Sequence, residues 1–145
     1  MDVQLVIGGA YSGKRRVVRK KVNGGFSWVS AYEGKAFTDW RASWEEKSTL
    51  VLEGWEKWLE DAILLESEDD IIRESFIQLF QDLVREEQTR GEETVLVMLE
   101  IGRGIVPIEN RYRRLRDLAG WIAQDAAKLA KEVHYVWHGL AERLK

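Results

Sequence analysis

The passage from Val3 to Lys14 restricts this chain more than any other. Val3 to Ile7 is apolar at every position except Gln4 and rich in β-branched residues, and Gly8-Gly9-Ala10-Tyr11-Ser12-Gly13-Lys14 follows at once. A short run of this kind closed by glycines is the pattern of a strand buried on both faces, which needs helices to cover it. The next seven residues satisfy G-x-x-x-x-G-K, and Lys14 to Lys21 reads as a short helix stopped by Asn23-Gly24-Gly25. Strand, glycine-rich turn and helix in that order make a phosphate cradle. Small residues let consecutive backbone N–H groups turn inward, the helix N-terminus adds partial positive charge, and the Lys14 ammonium can reach the outer phosphates. A tight turn with a solvated lysine is the bland alternative, but both glycines, the lysine and the flanking elements agree on the cradle. Gly8, Gly9, Ala10, Tyr11, Ser12, Gly13, Lys14 and Arg15 are therefore expected to hold ATP or GTP.

Arg15 departs from the motif. The residue after the lysine ordinarily carries a hydroxyl that coordinates Mg²⁺, whereas a guanidinium is a fixed cation that cannot ligate a metal. Three consequences stay open: other oxygens hold the metal, the guanidinium displaces it, or it is absent.

The remaining chain alternates in the same style. Phe26 to Tyr32 reads as a second strand, Glu33 to Ser48 lacks a clear period, and Thr49 to Leu52 resumes the β-branched apolar pattern before Gly54 breaks it. Trp55 to Leu65 can form a helix, and Ile72, Phe76, Phe80 and Val84 keep helical spacing to about Arg90. Thr94 to Leu99 is another strand, Gly102 to Pro107 a loop, about Glu109 to Lys131 a long helix, and Val133 to Trp137 a last strand. This alternation predicts an α/β fold with a mostly parallel sheet flanked by helices, in a single nucleotide-binding domain spanning 1–145.

Composition narrows the function. With 22 Lys and Arg against 25 Asp and Glu, the net charge of −3 does not favour nucleic acid as a partner, although Lys14, Arg15, Arg16, Arg19, Lys20 and Lys21 form one basic cluster. The absence of cysteine excludes disulfides and thiolate chemistry, and two histidines argue against a zinc site. The apolar segment after Met1 is too short for a signal peptide, and no stretch is long enough to span a membrane, so a cytoplasmic protein is expected.

With the phosphate-binding turn placed, four segments carry a family resemblance. Ile7-Gly8-Gly9-Ala10-Tyr11-Ser12-Gly13-Lys14, Leu50-Val51-Leu52-Glu53, Glu100-Ile101-Gly102-Arg103-Gly104-Ile105-Val106-Pro107 and Arg116-Asp117-Leu118-Ala119-Gly120 resemble, in this order, segments of the bifunctional adenosylcobinamide kinase/adenosylcobinamide-phosphate guanylyltransferases. The resemblance implies a RecA-like P-loop sheet and two reactions of cobalamin biosynthesis: phosphorylation of the adenosylcobinamide hydroxyl, then transfer of GMP from GTP onto that phosphate. It also implies a corrinoid partner and symmetric homo-oligomers. In the family the second reaction passes through a guanylylated histidine between the second and third strands. Glu33 to Ser48 holds no histidine, and Met98-Leu99 stands where the family has a polar pair. A kinase that has lost its guanylyltransferase half is thus expected, with a nucleotide- or corrinoid-binding homologue without turnover, or a structural partner of an active enzyme, as the alternatives.

Candidate residues follow from both readings. Glu53 and Glu100 end predicted strands, at the sheet edge where ligands of open α/β sheets collect, and can bind metal, ribose or an attacking hydroxyl. Lys14 and Glu53 are the catalytic candidates; Glu100 and Arg103, the latter able to clamp a phosphate, join the binding set. Arg111, Arg113, Arg114 and Arg116 read mostly as surface charge. Trp40, Trp44, Trp55 and Trp58 fall in two pairs on helical spacing, which favours packing over a stacking wall. His134 and His138 read as structural or exposed.

Overall fold

The computed structural model describes residues 3–22, 24–101 and 110–145. Residues 102–109, with Arg103 and Pro107, lie outside the described residues, as does Asn23. A six-stranded sheet runs in the order β2-β3-β4-β1-β5-β6, comprising β1 (Gln4–Gly8), β2 (Gly25–Ser30), β3 (Ser48–Glu53), β4 (Thr94–Leu99), β5 (Glu132–Trp137) and β6 (Leu140–Arg143). The first five are parallel, and β6 returns antiparallel to β5. Among the described residues five α-helices accompany them: α1 (Lys14–Lys21), α2 (Trp40–Ser43), α3 (Trp55–Leu65), α4 (Asp69–Arg90) and α5 (Asn110–Leu129). This is the mostly parallel, helix-flanked α/β architecture of a P-loop domain. Strand β1 pairs with both β4 and β5, so the chain reverses its winding beside the glycine turn, where open sheets form their ligand crevice.

Side-chain alternation divides the core. Leu5, Leu50, Leu52, Leu96, Met98 and Val133 point to one face and pack with α3, α4 and α5 through Trp55, Leu59, Phe76, Phe80, Leu118 and Ile122. Val6, Val51, Val95, Val97 and Val136 point to the other, under Val17 and Val18 of α1. The tryptophans belong to the packing: Trp40, Trp44, Trp55 and Trp58 are buried, and Trp55 meets Trp58 edge to face with centroids 5.0 Å apart. Their indoles are satisfied locally, since Trp44 Nε1 donates to the Ser48 carbonyl at 3.0 Å, Trp55 Nε1 to Leu52 at 3.0 Å and Trp58 Nε1 to Lys35 at 2.9 Å.

Element ends shift by one or two residues from the sequence expectation, and three differences have a visible cause. The second strand stops at Ser30, whose hydroxyl accepts from the Tyr32 amide and starts a 3₁₀ turn over Ala31–Glu33. The aperiodic 33–48 segment holds a second 3₁₀ turn, Phe37–Asp39, running into α2. Val133 to Trp137 is not the last strand: β6 follows a two-residue turn in which His138 and Gly139 both have positive φ, at 51° and 76°. That backbone suits the twist of a tight hairpin.

Candidate functional site

The glycine turn leaves β1 through a position that accepts no side chain. A Cβ on Gly8 would lie 2.4 Å from the Val136 carbonyl oxygen and 2.8 Å from Ser12 Oγ. Tyr11 and Gly13 then take positive φ, 57° and 97°, while the Ser12 amide donates to the Gly9 carbonyl at 3.3 Å and the Val17 amide to Gly13 at 3.1 Å, opening α1. Two neighbours brace the turn. The Gly139 amide of the β5–β6 hairpin donates to the Ser12 carbonyl at 2.7 Å, and the Glu100 amide after β4 donates to the Gly8 carbonyl at 2.8 Å. Ser12 is buried, and its hydroxyl has no hydrogen-bond partner among the described residues.

Beside the turn a cleft of about 710 Å³ opens at the C-terminal edge of the sheet. Ala10, Tyr11, Gly13, Lys14 and Arg15 form one side. Tyr32, Glu53 and Glu56 form the other, with Val97 and Leu99 of β4 also lining it. The Lys14 ammonium folds back onto the Gly9 carbonyl at 2.6 Å. Burial lowers its pKa from the ordinary lysine value, with Glu56 and Glu53 opposing the shift.

Arg15 does something the motif does not foretell. Its Nε donates to Glu53 Oε2 at 2.9 Å and its Nη2 to Glu53 Oε1 at 2.6 Å, a bidentate pair across 38 residues of chain. Glu53 is almost wholly buried and the Arg15 side chain is 51% exposed, so a carboxylate at the floor of the cleft is covered by a cation that still faces outward. The hydrogen bond to Glu53 raises the Arg15 pKa further above its already high value. Across the cleft, the Tyr32 hydroxyl donates to both Glu56 oxygens, at 2.6 and 3.0 Å. Burial first and that hydrogen bond second raise the phenol pKa, keeping the group a donor.

The expected residues therefore separate. Ala10, Tyr11, Gly13, Lys14, Arg15 and Glu53 line the cleft, while Gly8, Gly9 and Ser12 belong to the same turn without lining it, and Glu53, expected as a metal or substrate ligand, accepts from Arg15 on both oxygens. Glu100 accepts from the Tyr135 hydroxyl at 2.6 Å and is not among the cleft's lining side chains. Arg103 lies outside the described residues. Arg114 was expected as surface charge, but it ties α5 to the start of α4, donating to Asp69 at 2.7 Å and to the Glu66 and Ser67 carbonyls at 3.2 and 3.3 Å. His134 is buried against Lys21 Nζ at 2.8 Å, and His138 sits in the hairpin turn against Trp137. Tyr32 and Glu56 were missed by sequence reasoning. The signal was available: each stands a few residues beyond a strand's C-terminal end, the edge that gathers ligands.

The residues present do not fit Mg²⁺. The ion takes oxygen ligands in near-octahedral geometry, yet a guanidinium stands at the hydroxyl position, each Glu53 oxygen accepts from that guanidinium, and Glu56 accepts from Tyr32. Among the described residues no three potential acidic, histidine or cysteine ligands come together.

Comparison with known proteins agrees with this architecture. Residues 15–144 match the family model described as cobinamide kinase / cobinamide phosphate guanyltransferase, a match that begins directly after the glycine turn. A 65-residue stretch is 38% identical to the bifunctional adenosylcobalamin biosynthesis protein CobU of Escherichia coli (strain K12), covering 45% of this chain and 36% of that relative. The matched part is thus about a third of the relative's length. No helix among the described residues is long and apolar enough to cross a membrane. The chain belongs to the cobinamide kinase / cobinamide phosphate guanyltransferase family.

Proposed function

We propose that the chain binds a nucleoside triphosphate, ATP or GTP, in the cleft beside residues 8–15 and phosphorylates the hydroxyl of adenosylcobinamide. The observation that carries this reading is the braced turn. Gly8 admits no side chain, Gly13 adopts positive φ, and Lys14 stands at the mouth of a triphosphate-sized cleft. Backbone N–H groups and the helix N-terminus hold the phosphates, and Lys14 neutralises charge on the transferred group. Phosphoryl transfer suits such a site because the protein mainly positions reactants and offsets spreading negative charge. An apolar groove of about 520 Å³ lined by Ala31, Phe37, Trp58 and Leu65 supports a bulky acceptor. It starts at the chain neighbours of Tyr32 and Glu56.

The guanylyltransferase step is proposed to be lost. A phosphoramidate needs a nucleophilic imidazole near the α-phosphate, and residues 33–48 contain none. A second reading, binding without turnover, is favoured by the Arg15–Glu53 pair, which occupies the buried carboxylate that would otherwise accept a hydroxyl proton. Incubating the protein with adenosylcobinamide and ATP or GTP, followed by mass spectrometry, separates the two. A phosphorylated corrinoid is the expected product. Nucleotide binding with no product would replace the kinase reading by the second, and no nucleotide binding would contradict both.

A further inference from the structure

We propose that this site takes its triphosphate without a divalent cation, Arg15 supplying the positive charge where other phosphate-binding turns place a metal. The proposal rests on the nucleotide reading above and deepens it.

Three observations carry it. Arg15 occupies the position of the metal-binding hydroxyl, directly after the phosphate-contacting lysine. It is anchored there: only its Nε and Nη2 atoms are engaged, both by Glu53. The remaining N–H groups of the guanidinium donate to no described residue, and about half of the side chain is open to the cleft. A planar guanidinium can hold a carboxylate on one edge and a phosphate on another, which an ammonium cannot do with the same geometry. The third observation is that the pair removes both sides of a metal site at once. It replaces the hydroxyl ligand and sets a fixed cation on the buried carboxylate that would complete the coordination.

Charge decides the rest. Lys14 and Arg15 face Glu53 and Glu56 around the cleft, so the lining is close to neutral as it stands. An incoming triphosphate draws on the free edge of Arg15 while Glu53 keeps that side chain in place. A metal beside the guanidinium would meet like charge, and the two carboxylates of the lining already accept from Arg15 and Tyr32. Glu53 is therefore a positioning residue that opposes the anion electrostatically while orienting the cation that attracts it.

The test is calorimetric titration of the whole chain with ATP and with GTP, in EDTA and in excess Mg²⁺. The unmodified protein should bind in EDTA, with a Kd that changes by less than about threefold on adding Mg²⁺. Arg15→Ser, which restores the hydroxyl and frees Glu53, should lose about tenfold or more in EDTA and recover on adding Mg²⁺. Because Arg15→Ser leaves a buried carboxylate unpaired, Arg15→Lys gives an independent arm. It keeps a cation beside Glu53 but has no second edge for a phosphate, and should weaken metal-free binding severalfold. Binding by the unmodified protein that requires Mg²⁺, or metal-free binding by Arg15→Lys as tight as that of the unmodified protein, overturns the proposal alone. Absence of binding in both conditions overturns the nucleotide reading and this inference with it.

Discussion

Lys14→Ala should weaken ATP or GTP binding by about two orders of magnitude, the loss of a charge-assisted contact worth about 2–3 kcal/mol. The structure isolates this effect from folding. Among the described residues the Lys14 ammonium bonds only to the Gly9 carbonyl within its own turn, and the side chain is only partly buried, so thermal unfolding of the variant should stay close to that of the unmodified chain. The lowered pKa of Lys14 adds a second readout. A bound triphosphate favours the charged form. As pH rises through the lowered value the free protein loses the proton, binding must take one up, and affinity falls at lower pH than an exposed lysine would give. Lys14→Ala should abolish that dependence. Unchanged affinity in the variant, measured by titration calorimetry, would remove the ammonium from the mechanism.

The second large effect is on stability. Gly54 joins β3 to α3 with a φ of 90°, and a Cβ there would lie 2.6 Å from Ala31 Cβ and 3.1 Å from the Ala31 amide nitrogen. Gly54→Ala therefore combines a left-handed backbone penalty of about 1–2 kcal/mol with overpacking of about 1–3 kcal/mol. The total, about 2–5 kcal/mol, is a large share of the stability of a domain this size. Urea denaturation measures it directly. Gly120→Ala is the matched control. It lies inside α5 with nothing near its Cβ position, so the same change should stabilise by about 0.5–1 kcal/mol. Equal effects at the two sites would contradict the account of Gly54. The substitution also bears on function, because Gly54 follows Glu53 and sets where Glu56 and the Ala31–Glu33 turn meet.

Much of this fold was legible because its signals are local. The buried run before Gly8 shows itself through β-branched side chains and the glycines behind it, and α4 through apolar residues at helical spacing ended by Gly91, whose amide donates to the Glu87 carbonyl at 2.8 Å. Strand β6 was not legible. All four of its residues are exposed, so Leu140 to Arg143 carries no inward–outward alternation, and a His-Gly turn is a weaker hairpin mark than Asn-Gly. The site divides in the same way. The turn was readable from spacing and context, whereas the Arg15–Glu53 pair joins residues 38 apart and arises because Glu53, two residues after Val51 on β3, points to the sheet face that α1 covers. Arg15 could be recognised as unable to bind metal from its chemistry alone. What it binds instead was set by topology.

The claim on which the account depends is that backbone amides of the first turn hold the phosphates. Amide chemical-shift mapping with a non-hydrolysable ATP or GTP analogue tests it most directly. The account predicts that the largest shifts fall on residues 8–15, with smaller ones at Tyr32 and Glu53 across the cleft. Saturable binding that leaves residues 8–15 unmoved and shifts a distant surface would contradict it.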